Sequence, residues 1–244
     1  MTKEEVLQNC TINDLIVKLP EGQLDRKLYQ EVAKSLILIG GKWKGGKTMG
    51  FVFKQDPTEL LASVNNGEKR NLKKEFQFFA TPDSLSDELV RLALIEENGS
   101  VAEFQAGQGA IIEAILRKHP NKEIFIMEMM NVNCIVLKQK GFNPVQADYL
   151  EYKGGKFDRI IANPPFSKNQ DIDHVMKMYS DLKPNGRLVS ITSKHWKLSK
   201  NKKETEFREW LDKLEADVIE IEEGSFKENG TTVGGYILVI DKKL

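Results

Sequence analysis

Apolar residues near the start of the chain recur at helical spacing. Leu24, Leu28, Val32, Leu36 and Ile39 share one face of a helix predicted over Gln23 to Ile39, and Gly40-Gly41 supplies its stop. A basic glycine-rich turn follows, Lys42-Trp43-Lys44-Gly45-Gly46-Lys47, and then Met49-Gly50-Phe51-Val52-Phe53, whose alternation reads as a short strand ended by Pro57. A helix plus a basic β-hairpin makes a small winged appendage. The polar string from Asn65 to Lys74 reads as a linker or exposed loop.

From Phe78 onward, short apolar runs alternate with amphipathic segments, the pattern of βαβ units and a parallel sheet. Strands are predicted at Ser100 to Phe104, Glu123 to Met127, Pro144 to Ala147, Phe157 to Ala162, Gly186 to Thr192, Asp217 to Ile221 and Gly234 to Ile240. Helices are predicted at Ser84 to Glu96, Ala110 to Lys118, Asn131 to Lys140, Ile172 to Leu182 and Lys203 to Leu214. The last strand is followed by no helix, so the seven-stranded α/β sheet should be mostly parallel with an antiparallel strand near one edge. Two units follow: an appendage over residues 1–75 and a main domain over 76–244.

Length and composition agree with this division. The 244 residues suffice for one domain and a small addition, and 40% apolar content excludes a disordered polymer. No apolar run has the length of a membrane helix, and the first residues lack a secretory apolar core, so a soluble, cytoplasmic protein is expected. Cys10 and Cys134 stand apart, and His119, His174 and His195 lack ligand spacing, so neither a disulfide framework nor a metal is indicated.

Four signals follow predicted strands, where open α/β sheets place their ligands. Glu103-Phe104-Gln105-Ala106-Gly107-Gln108-Gly109 follows the first strand and opens a helix, so its glycines would allow close backbone approach to a ligand. Glu128 ends the next strand, placed to accept hydrogen bonds from ribose hydroxyls. Asp148 follows the third, where it could accept from an adenine amino group. The fourth is Asn163-Pro164-Pro165-Phe166. Two prolines fix the turn's direction and remove donors, and the aromatic offers a stacking face for a planar base.

With these residues the chain resembles the class I S-adenosylmethionine-dependent methyltransferases of the N6-adenine type, over roughly Phe78 to Asp241. The resemblance implies a Rossmann-like methyltransferase sheet and S-adenosylmethionine as cofactor. It implies that Glu103, Gln105, Gly107 and Gly109 form the cofactor loop, that Glu128 binds ribose, and that Asp148 binds the cofactor's adenine. Thr81, in Phe79-Ala80-Thr81-Pro82, would contact the methionine end. In that family the Asn side chain and the carbonyl after it accept both amino hydrogens of a flipped-out adenine. Asn163, Pro164, Pro165 and Phe166 would therefore form the target pocket of a restriction–modification type DNA methyltransferase. The family commonly has Pro-Ser where this chain has Phe104-Gln105, which predicts a bulky ring beside the cofactor loop and weakened binding. Alternatives are methylation of RNA adenine or of a protein glutamine amide, and a catalytically silent module that binds nucleic acid.

Charge bears on the partner. Formal net charge is zero, with 36 Lys and Arg against 36 Asp and Glu, yet the charges are segregated. Gly40 to Glu75 carries eight basic residues (Lys42, Lys44, Lys47, Lys54, Lys69, Arg70, Lys73, Lys74) against four acids. Lys194 to Lys203 carries five lysines and no acid. Lys42, Trp43, Lys44, Lys47, Lys168, Lys194, Trp196 and Lys197 are the predicted DNA contacts, with Trp196 filling the gap of a flipped base and Glu215 to Glu223 facing away. Gly41 to Thr48 also fits the phosphate-binding pattern G-x-x-x-x-G-K-[ST], but a helix precedes it and a strand follows, the reverse of what that motif needs. Asp171-Ile172-Asp173-His174 reads as a structural helix start. No gap between the motifs has room for a separate target-recognition domain, so a partner supplying sequence specificity is one expectation.

Overall fold

A computed structural model of the chain describes residues 1–53, 56–65, 81–222 and 234–243. The appendage contains α1 (Lys3–Gln8), β1 (Thr11–Asn13), β2 (Ile16–Lys18), α2 (Arg26–Leu38), β3 (Lys42–Lys44), β4 (Gly50–Val52) and α3 (Thr58–Asn65). Its four strands pair antiparallel in the order β1-β2-β4-β3. Helix α2 begins at Arg26 rather than Gln23 because Asp25 caps it, its carboxylate accepting from the Lys27 and Leu28 amides at 3.0 Å. The expected basic turn is half strand: Lys42–Lys44 form β3 and only the residues between it and β4 make the turn of the predicted hairpin, so the G-x-x-x-x-G-K-[ST] match lies in a helix-to-strand context. Strands β1 and β2 and helices α1 and α3 were not legible as periodic runs, since three-residue strands and helices of about two turns are too short to show a period.

The main unit has a seven-stranded sheet in the order β10-β11-β9-β8-β5-β6-β7. Its strands are β5 (Val101–Glu103), β6 (Ile124–Glu128), β7 (Val145–Gln146), β8 (Phe157–Ala162), β9 (Leu182–Ser193), β10 (Asp217–Ile221) and β11 (Gly235–Asp241). All neighbours pair in parallel except β11, which runs antiparallel to both β9 and β10. The antiparallel strand thus stands second from one edge. The helices are α4 (Asp83–Ala93), α5 (Ala110–Lys118), α6 (Asn131–Gln139), α7 (Gln170–Ser180), α8 (His195–Leu198) and α9 (Lys202–Lys213). Helix α4 stops at Ala93, short of the predicted Glu96, because Leu94 takes a left-handed conformation. Among the described residues no helix is long and apolar enough to cross a membrane.

Val6, Leu7, Val32, Leu36, Phe51 and Phe53 form the core of the appendage together with Val132 and Val136 of α6, so the appendage is seated on the helix that follows β6. The expected linker lies outside the described residues apart from Asn65, and so does the expected boundary near residue 75. Strand order runs outward from β5 through β6 to β7, then returns to the other side of β5 for β8 and β9. That reversal opens a crevice at the carboxyl ends of β5 and β8.

Candidate active site

The crevice is bounded by the loop after β5 and the turn after β8. Gly107 and Gly109 both have positive φ, +55° and +93°. A Cβ on Gly109 would stand 3.0 Å from Leu137 Cδ2, so glycine is required there for packing as well as for conformation. Lys140 braces the loop by donating to the Gln108 carbonyl at 2.7 Å while pairing with Glu113. Glu128, ending β6, closes it: Oε2 accepts from the Gly107 amide and Oε1 from the Met130 amide, both at 2.7 Å.

Two acids share this buried corner. Glu103 is 1% exposed at the end of β5, with the Ile112 amide of α5 donating to it. Its Oε2 has no hydrogen-bond partner among the described residues. Burial first, and the charge of Glu128 second, hold its carboxyl well above the usual carboxylate range. Burial also raises Glu128, against the pull of the Met130 and Gly107 amides. Asp148 caps a short 3-10 turn over Tyr149–Glu151, accepting from the Leu150 amide at 2.9 Å.

Phe104 corrects the sequence expectation. Its ring turns away from the loop into an aromatic cluster, stacked on Tyr149 at 4.1 Å between centroids and packed against Phe125, Tyr152 and Phe157. It is 1% exposed and lies in the core, so no bulky ring stands beside the cofactor loop. Successive residues of an extended strand point to opposite faces, and Phe104 continues the alternation after Glu103. Gln105 stays at the crevice, where its Nε2 lies 2.9 Å from His174 Nδ1 and its Oε1 is buried without a partner among the described residues. His174 is 5% exposed, and burial pushes its pKa down to about 4, so at neutral pH the ring is uncharged and its Nδ1 accepts from the amide.

On the other side of the crevice Asn163 donates through Nδ2 to the Thr81 hydroxyl at 3.1 Å. Pro164 is buried; Pro165 and Phe166 are half-buried. The following Lys168 and Asn169 are both left-handed, with φ of 53° and 59°. Helix α9 holds them there: the Asn169 amide donates to Glu204 Oε1, and Lys203 Nζ donates to the Asn169 carbonyl at 3.1 Å. Glu204 is itself buried, 3.5 Å from His195 Nε2. A separate cavity of about 310 Å³, lined by Leu94, Arg159, Asn185, Arg187, Asp241 and Lys242, lies toward the amino ends of β8 and β9, away from the crevice. Its arginines are engaged there with Glu96 and Asp241.

Comparison with known proteins decides the family, because residues 80–216, more than half of the chain, match the model of the methyltransferase small domain. The chain belongs to that family. The cofactor of this methyltransferase is S-adenosylmethionine. The residues at the crevice fit it: the cofactor carries an ammonium group and ribose hydroxyls, and Glu103 Oε2 and Gln105 Oε1 lack donors among the described residues. The chain is 29% identical over 119 residues to modification methylase CviBIII of Paramecium bursaria Chlorella virus NC1A, a match covering 44% of this chain and 32% of that protein. The chain thus spans about a third of the curated relative it matches. Its fold is shared by the methyltransferase subunit of a type I restriction–modification system from Streptococcus thermophilus (TM-score 0.57, 19% identity, 68% of this chain and 45% of that one). A dimethyladenosine transferase from Plasmodium falciparum shares it too (TM-score 0.51, 13% identity, 68% and 64%).

The lysine run of the methyltransferase departs from expectation in two respects. Trp196 is 3% exposed, its indole donating to the Thr192 hydroxyl at 3.0 Å and its ring packed edge-on against Phe207 and Tyr236, so it is an anchor of the core and cannot fill a base gap. Glu220 of the acidic stretch does not face away: it pairs with Lys194 at 2.9 Å, because β10 is hydrogen-bonded to β11 and β11 to β9, from whose end the run leads. Lys197 is exposed, its ammonium over the Tyr236 ring, and Lys168 is exposed after the Asn163–Phe166 turn. Lys42, Trp43, Lys44 and Lys47 are exposed on the appendage hairpin, where Trp43 packs against Phe51 and Tyr29. Lys54, Lys69, Arg70, Lys73 and Lys74 lie outside the described residues, as do Phe79, Ala80 and Glu223. Sequence reasoning missed His174 and Glu204, whose partners stand 69 and 35 residues away with no spacing to announce them. Asp171, by contrast, is the structural residue it was read as, accepting from the Ser193 amide at 2.8 Å and tying α7 to β9.

Proposed function

We propose that this methyltransferase transfers a methyl group to the exocyclic N6 amino group of adenine in DNA. The observation that carries the reading is the Asn163-Pro164-Pro165-Phe166 turn, set across the crevice from the glycine loop with its Asn amide held by Thr81. Adenine's amino nitrogen is a weak nucleophile because its lone pair is delocalised into the ring. The Asn163 side-chain oxygen and the Pro164 carbonyl would accept its two hydrogens, favour a pyramidal nitrogen and aim the lone pair for in-line attack. Phe166 would stack on the flipped base. S-adenosylmethionine supplies the electrophilic sulfonium methyl. Thr81, Glu103, Gln105, Gly107, Gly109, Glu128 and Asp148 would hold that cofactor, and neither a metal nor a covalent enzyme intermediate is needed.

Lys168, Lys194, Lys197 and the hairpin residues Lys42, Trp43, Lys44 and Lys47 would meet the phosphate backbone, while sequence choice would rest with a partner chain. The appendage sits by the helix after β6 and the lysine run follows β9, so in strand order the two flank the catalytic turn after β8. The test is methyl transfer from labelled cofactor to unmethylated DNA, RNA and protein offered in competition. N6-methyladenine in DNA is expected, and its loss in Asn163→Ala. Label in RNA or in protein alone, or in DNA at another atom, would overturn the reading.

A further inference from the structure

An adenine inside a duplex must leave the base stack to reach a pocket at a strand end, and an apolar wedge inserted between base steps is one way to offset the cost of unstacking. We propose that Leu198 enters the stack in place of the flipped adenine. The inference rests on the DNA-adenine reading above and deepens it by naming the residue that opens the duplex.

Leu198 is 80% exposed, more than any other large apolar side chain among the described residues. It ends the four-residue helix α8 inside the lysine run, flanked by the exposed Lys197, Lys200 and Lys202. A single exposed Leu is ordinary in water, but here it stands between exposed lysines in the chain. It matches a duplex, where phosphates meet the lysines and a Leu wedge can slip between base steps.

The loop beneath the tip is braced. Trp196 plugs into the core, and Arg208 donates to the carbonyls of both Trp196 and Ser199. The Ser199 amide bonds the His195 carbonyl at 3.0 Å, and the Asn201 amide bonds the Ser199 hydroxyl at 3.2 Å. A wedge fixed in advance loses little conformational freedom on insertion.

Position completes the argument. The loop follows β9, the hydrogen-bonded neighbour of β8, on the edge that carries Asn163. Through Lys203, Glu204 and His195 the run is tied to Asn169, three residues beyond Phe166. Met49, also prominent on the surface, belongs to the appendage hairpin and has no such link to the turn among the described residues.

The experiment offers the same unmethylated DNA as duplex and as separated strands to the full chain with labelled S-adenosylmethionine. Leu198→Ala is expected to lower the duplex rate about tenfold or more and to leave the single-strand rate within about twofold, since separated strands need no unstacking. Leu198→Met, still a flexible apolar wedge, should retain the duplex rate. Leu198→Lys should lose it despite the added charge. Equal loss on both forms, an unchanged duplex rate in Leu198→Ala, or a raised duplex rate in Leu198→Lys would overturn the proposal. Wild-type protein that methylates neither form would overturn the DNA reading itself, and this inference with it. The site is exposed, so the variants should fold as the parent does.

Discussion

The Asn163 side-chain amide is pinned by the Thr81 hydroxyl, Nδ2 to Oγ1 at 3.1 Å, across 82 residues of chain. With its nitrogen turned to Thr81, the amide directs its oxygen elsewhere, and the two prolines that follow prevent the backbone from reorienting it. Thr81→Val keeps the shape and removes the acceptor. It is expected to lower kcat about five- to tenfold, the equivalent of roughly 1 kcal/mol for one hydrogen bond. Asn163→Ala should cost on the order of 10²- to 10³-fold in kcat, with cofactor affinity retained. Steady-state methylation beside calorimetric titration checks both. A weaker cofactor Kd with unchanged kcat in Thr81→Val would assign Thr81 to the cofactor alone.

Glu103 is expected to oppose stability and serve binding. Its raised folded-state pKa means that the native protein holds a proton the unfolded chain has released, so its contribution is present at low pH and lost as pH rises above the ordinary Glu range. Glu103→Gln spares the folded state the proton uptake that Glu103 needs, and should stabilise the cofactor-free protein at neutral pH while flattening its dependence on pH. The same variant should bind S-adenosylmethionine poorly. Thermal unfolding across pH, with and without cofactor, separates the two effects.

His174 should act with the opposite sign. Its pKa is about 4 when folded against 6.5 when free, so its contribution is complete above pH 6.5 and is lost as pH falls toward 4. The span corresponds to about 3 kcal/mol. His174→Asn preserves an acceptor for Gln105 and cannot titrate, so its unfolding midpoint should decline less than that of the parent between pH 6.5 and pH 4. Parallel curves for the two proteins would show that the ring bears no such load.

Trp196 and Phe104 are core residues. Trp196→Ala and Phe104→Ala should each destabilise by about 3–5 kcal/mol through lost burial and a residual cavity. Chemical denaturation measures this. Cofactor affinity in folded Phe104→Ala should stay close to that of the parent, since the ring faces Tyr149 rather than the loop.

Local pattern determined much of this protein. Short apolar runs located all seven strands of the main sheet, and most clearly β5, β8, β9 and β11, where burial on both faces imposes a composition that short segments cannot hide. Strand-end motifs located the crevice residues, since a glycine loop, a strand-end acid and a proline-fixed turn are each demanded by local backbone geometry. Partnership across the chain was beyond that reach. The strand reversal beside β5 is what brings Asn163 opposite Gly107, and nothing in either segment encodes the other. The fate of an aromatic likewise depends on which neighbour packs over it. Phe104 reads as an obstacle beside the glycine loop and Trp196 as a filler of a base gap in one dimension, and both are core anchors in three, while Leu198, unremarked among lysines, is left in solvent in the loop that follows β9.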